Sequence, residues 1–247
     1  MSVTVWWHQA SFTSAHSIDD SSDGAFLSGV DDWNDLSRWR GNSEFDRRRT
    51  LQVNFVYDLP FLRNHQNRAV KTALAGWQMS GIATFMSGLP VNFTCNHSGI
   101  GKSMKCNDTP AFGVSKSIVN DPTFGPTLQW FDPSTISMAA LSQFRADGHA
   151  GMFGYMGRDT LTGPGRNNWD QALLKNFALP IHEKSVLQFR FETYKTFNHT
   201  EYQGIQAGCG GTTPYGSSCS GAQNVGNGLV TSAWAPRQLQ VGLKFMF

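Results

Sequence analysis

The stretch "RQLQVGLKFMF", residues 237–247, sets an apolar side chain at every second position: Leu239, Val241, Leu243, Phe245 and Phe247. Gln240, Gly242, Lys244 and Met246 fall between them. Successive side chains of a strand point to opposite sides, so a period of two marks an extended strand with two unlike faces. The pattern recurs upstream. In "TLQVNFVYDLPF" (50–61) one face carries Leu51, Val53, Phe55, Tyr57 and Leu59, and the other Gln52, Asn54, Val56 and Asp58. In "VLQFRFETYKTF" (186–197) Leu187, Phe189 and Phe191 oppose Gln188, Arg190, Glu192 and Tyr194. "GWQMSGIATFMSG" (76–88) and "NNWDQALLKNFAL" (167–179) are further strands with less clean faces. "VTVWWHQASFTS" (3–14) is a sixth, and its inward face is ambiguous.

The segments are long for strands. Each has about 10 to 13 residues, near the 9–11 that a tilted strand needs to cross a bilayer and above the 5 or 6 usual in soluble sheets. Aromatics gather near their ends: Trp6, Trp7, Trp77, Trp169, Phe177, Phe197 and Phe247. The connections alternate in length. Residues 15–47, 89–166 and 199–236 are long, whereas 60–75 and 180–184 are shorter. Membrane barrels segregate their loops in this way, long outside and short in the periplasm. The expected fold is therefore all-β: an antiparallel up-and-down transmembrane β-barrel with long extracellular loops, of which about six strands, too few to close, form an open curved sheet. Residues 89–166 should be mostly irregular, with a short helix near 133–144. The apolar face meets lipid and the polar face a wet lumen. On this reading the last strand closes the barrel against the first. The row Leu239, Val241, Leu243, Phe245 and Phe247 is then the signal read by the barrel-assembly machinery.

Composition agrees. Charged residues make up 15% and hydrophobic ones 40%, so the charged share lies well below the usual quarter. The net charge of +2 is too small to argue for nucleic acid. The 25 glycines and 18 phenylalanines suit turns and strands. No stretch reaches the roughly 18 apolar residues of a membrane helix. The opening "MSVTVWWHQASF" lacks the basic and long apolar regions of a secretory signal. Four cysteines fall in two local pairs, Cys95 with Cys106 and Cys209 with Cys219, in Gly/Ser/Thr-rich loops. Three pairings are possible, and the local one is favoured by spacing. Neither pair has the C-x-x-C spacing of a zinc or redox site.

Several motifs resemble sites. "GIGKS" (99–103) matches the tail of a P-loop, but Asn96 replaces the required glycine and no helical pattern follows. "DDSSDG" (19–24) resembles the start of a calcium loop, yet Val30 stands where a bidentate glutamate is needed. "RWRGNSEFDRRR" (38–49) is broken by Glu44 and Asp46 and suits a barrel rim of paired cations and carboxylates that meets lipopolysaccharide phosphates. Arg190, Glu192 and Lys244 are expected to face the lumen, as an ion-pair network or as contacts for a plug. The seven histidines show no ligand spacing, and no G-x-S-x-G elbow occurs. No catalytic constellation, cofactor site or metal site is expected.

Seven segments in order carry a family resemblance: "HSIDD" (16–20), "RGNSEFDRRRTLQVNFVYDLPF" (40–61), "GWQMSGIATFMSGLP" (76–90), "WFDP" (130–133), "GRDTLTGPGRNNWDQALLKNF" (157–177), "LQFRFETYKTFNHTEY" (187–202) and "APRQLQVGLKFMF" (235–247). Together they resemble the carboxy-terminal part of Oar-like TonB-dependent receptors, and the resemblance covers nearly the whole chain. It implies that residues 1–247 are part of a receptor barrel of about 22 strands. The signal peptide, plug, TonB box and most strands would belong to a preceding region. It further implies a bacterial outer-membrane location, contact with the lipid bilayer, and import of a nutrient of siderophore, carbohydrate or oligopeptide class. Coupling to the TonB complex would run only through the plug. The competing expectation is a soluble secreted carbohydrate-binding sandwich, which would bury Phe189, Phe191, Val241 and Phe245 under a second sheet. A hydrolase lacks a nucleophile–base pair.

Overall fold

The computed structural model describes residues 6–22, 36–62, 64–93, 95–97, 103–104, 107–108, 113–121, 125–132, 136–137, 156–179, 185–207, 209–211 and 228–247. Six long strands form its main sheet: β1 (Trp6–Ser14), β2 (Arg49–Asp58), β3 (Trp77–Met86), β4 (Arg166–Ala178), β5 (Val186–Tyr194) and β6 (Gln238–Met246). They lie side by side in chain order, and every neighbouring pair is antiparallel. Among the described residues the outer edges of β1 and β6 do not pair with each other, so the sheet is open.

Register decides which residues share a face, because directly opposed residues of paired strands point the same way. Leu243 opposes Phe189, Phe189 opposes Lys175, and Lys175 opposes Trp77. Val241 continues through Phe191, Leu173, Met79 and Tyr57 to Trp6. This apolar face is uncovered on β6, where Val241 is 64% and Leu243 69% exposed. The opposite face continues from Gln240 through Glu192, Ala172, Ser80 and Val56 to Trp7. The ambiguity of β1 is thereby resolved. Trp6, His8, Ala10 and Phe12 join the apolar face, and Trp7, Gln9, Ser11 and Thr13 the polar one. Rings meet edge to face near both ends of the wall, Trp77 with Phe189 at one end and Phe85 with Trp169 at the other.

The long connections gather beyond one end of the sheet. Residues 89–166, expected to be mostly irregular, contain the antiparallel hairpin Val114–Asp121/Gly125–Phe131. Short strands join this loop to itself at Pro90–Val91/Leu161–Thr162. The helix expected near 133–144 is replaced at Ile136–Ser137 by strand, and the rest of that segment lies outside the described residues. Phe93, Trp130, Phe131, Met156 and Leu161 form a buried cluster, against which Tyr202, Ile205 and Val230 of the β5–β6 connection pack. The loops thus have a small hydrophobic core of their own above the wall.

Candidate functional site on the lumen face and extracellular rim

The polar face carries amides and charges in hydrogen-bonded pairs. Gln78 Nε2 donates to Asp58 Oδ1 at 2.9 Å, and Gln188 Nε2 to Asn176 Oδ1 at 3.0 Å. Arg190 pairs with Glu192 two residues along β5, where alternation returns both side chains to one face. Lys244 opposes Gln188 on the same face. A hollow of about 530 Å³ opens over this side of the sheet, with Trp7, Asn54, Ile82, Asp170, Glu192 and Tyr194 in its lining. The hollow therefore opens mainly on the face that carries the polar residues.

The extracellular rim is tied together by buried charges. Glu201 is 3% exposed. Its Oε1 accepts the Asn167 amide at 2.8 Å, and its Oε2 lies 3.5 Å from Arg166 Nε and 3.6 Å from Lys195 Nζ. The Arg166 guanidinium also stacks over Trp234, 4.4 Å from the ring centroid. One carboxylate thus clamps the top of β4 to the β5–β6 connection. On the neighbouring side Arg158 pairs with Asp19 and donates to the Asn42 carbonyl at 3.2 Å. Asp46 pairs with Arg48 and accepts the Ser17 amide at 2.8 Å. Burial works to raise the Asp46 pKa, but the Ser17 amide, Arg48 and His16 outweigh it and hold the carboxyl below its usual value.

Asp159 differs. It is 1% exposed, among the described residues neither carboxylate oxygen has a hydrogen-bond partner, Arg158 Nε lies 3.8 Å from its Oδ2, and its backbone takes φ 55°. Burial pushes its pKa up to about 6; Arg158 opposes the rise and Glu44 adds to it. Neither Asp159 nor Glu201 stands out in the sequence, since the residues around each are brought together from separate connections.

Asp19, the first residue of the calcium-like stretch, binds Arg158 and the Ser22 hydroxyl; residues 23–35 lie outside the described residues. Among the described residues no three His, Cys, Asp or Glu side chains converge as a metal site. The backbone of Cys95 pairs in parallel register with that of Cys209 and in antiparallel register with Met104. Cys106 and Cys219 lie outside the described residues. At the end of the chain Leu239, Val241, Leu243, Phe245 and Phe247 all stand exposed, and the last two rings stack at 5.8 Å.

Six sequential antiparallel strands of spanning length, apolar outside and polar within, define the wall of a transmembrane β-barrel. The chain matches the family model described as outer membrane beta barrel domain over residues 6–240, and it belongs to that family. It is accordingly a protein of the bacterial outer membrane. No curated protein and no solved structure matches it.

Proposed function

We propose that this chain supplies part of the barrel wall of a TonB-dependent receptor of the Oar-like type, importing a nutrient of siderophore, carbohydrate or oligopeptide class. The observation that carries the reading is the open sheet with one apolar and one polar face. Among the described residues the sheet has six strands, short of the eight or so that close the smallest natural barrels, and its two outer edges are unpaired. On this reading Arg190, Glu192 and Lys244 line the lumen that holds the plug, through which TonB would act. The apolar row from Leu239 to Phe247 is the surface assigned to the barrel-assembly machinery. Disulfides among Cys95, Cys106, Cys209 and Cys219 would staple the external loops. A secreted sugar-binding sandwich is disfavoured by the exposure of Val241 and Phe245.

The test compares nutrient uptake in cells lacking this gene with uptake in cells lacking TonB. Loss of one TonB-dependent uptake activity in the first strain supports the proposal. Retention of every TonB-dependent activity contradicts it.

A further inference from the structure

The connection between β2 and β3 lies at the periplasmic end, opposite the long loops. It holds the helix α1 (Arg68–Leu74), whose N-cap Asn67 accepts the amides of Ala69 and Val70 at 2.9 and 3.3 Å. No residue of α1 is buried. The helix is tied to the wall by Lys175 of β4, whose Nζ donates to the carbonyls of Ala73 and Ala75 at 2.9 and 2.5 Å. Lys175 belongs to the lipid-facing register, and its ammonium lies 5.3 Å from the Trp77 ring and 5.0 Å from the Phe177 ring.

Between α1 and the end of β4 lies a cleft of about 1040 Å³. His65, Arg68, Lys71 and Lys175 line it, and among the described residues no carboxylate does. Lys175 is 3% exposed and gives two of its donors to the helix, so it fixes the cleft wall while Arg68 and Lys71 offer the accessible charge. Beside the cleft, Phe61, Leu62 and Leu74 are exposed. Apolar side chains next to cations, at the level where a membrane-spanning strand ends, are the pattern of a segment lying in the headgroup region. A headgroup entering this cleft meets Arg68 and Lys71 and, among the described residues, no carboxylate. A zwitterionic headgroup would bring its own ammonium against them, whereas an anionic one would not.

We propose that the cleft between α1 and β4 binds the phosphodiester headgroup of an anionic phospholipid in the periplasmic leaflet. The inference rests on membership of the barrel family and is independent of the transport proposal. The test measures binding of phosphatidylglycerol and phosphatidylethanolamine to the full chain in detergent by native mass spectrometry. Wild type should favour phosphatidylglycerol. Arg68→Gln with Lys71→Gln should weaken that binding by on the order of 25-fold, at about fivefold per cation. Phosphatidylethanolamine binding should not change, and Lys71→Arg should keep the preference. Inorganic phosphate alone should not displace the lipid. Equal binding of the two lipids, an unaffected double variant, or displacement by inorganic phosphate would overturn the proposal.

Discussion

Phe55 of β2 stands directly opposite Gly81 of β3, and its ring fills the space that a side chain at position 81 would need. A Cβ there would lie 2.7 Å from Phe55 Cζ and 2.9 Å from the Asp170 carbonyl oxygen. The ring can swing aside, but the carbonyl belongs to the β3–β4 ladder and cannot. Gly81→Ala should therefore destabilise the wall by about 1–3 kcal/mol, the usual cost of overpacking. Adding Phe55→Leu should recover only part of the loss. Urea unfolding of the three proteins in detergent checks this, and full recovery would contradict it.

Asp159 makes the rim sensitive to pH. Its folded pKa, about 6, lies above the ordinary carboxyl value of 3.8. The acid form is favoured by folding, so its contribution is complete below about pH 4 and is lost as pH rises through about 6. At about 1.4 kcal/mol per pH unit over that window, the loss comes to about 3 kcal/mol. Asp159→Asn removes the titrating charge and tolerates the positive φ. The variant should match wild type near pH 4 and protect residues 156–162 better near pH 8. Hydrogen exchange at the two pH values measures this; equal protection at both would refute it.

The six wall strands were legible from their unusual length, and β2, β5 and β6 also from clean alternation. Lys175 obscured β4, since a charge on the apolar face breaks the pattern until α1 is seen to cover it. The loop core was not legible. Its members Phe93, Trp130 and Leu161 are far apart in the chain, and Phe93 and Leu161 sit in or beside strands of two residues, too short to show a period. The pairing of the Cys95 backbone with that of Cys209 spans still more sequence. Glu201 was hidden for the same reason: Arg166 and Lys195, which it joins, come from different strand ends.

The cysteines give a chemical prediction. Thiol titration of unreduced, denatured protein should find fewer reactive thiols than the four cysteines present. A disulfide closing the short Cys95–Cys106 loop would contribute roughly 3 kcal/mol on the chain-entropy model. Peptide mapping would separate that pairing from Cys95–Cys209, whose backbones lie in register. Four reactive thiols would exclude both.

Charge on the two faces of β6 should have unequal effects. Val241→Lys on the apolar face should cost roughly 2–4 kcal/mol if the residue sits near the midplane. Lys244→Ala on the polar face should matter much less. The membrane-inserted, heat-modifiable fraction of each variant reports this, and equal insertion would argue against a spanning strand.

The most direct measurement places nitroxide labels one at a time along β6, from Leu239 to Phe245, in membrane-inserted protein with the native cysteines replaced by serine. Collision rates with oxygen, which partitions into lipid, and with a water-soluble nickel complex report the two environments. Leu239, Val241, Leu243 and Phe245 should show high oxygen and low nickel access, with the opposite at Gln240, Gly242 and Lys244. Uniform nickel access along the strand, or the reverse alternation, would contradict a barrel wall with lipid on its apolar face.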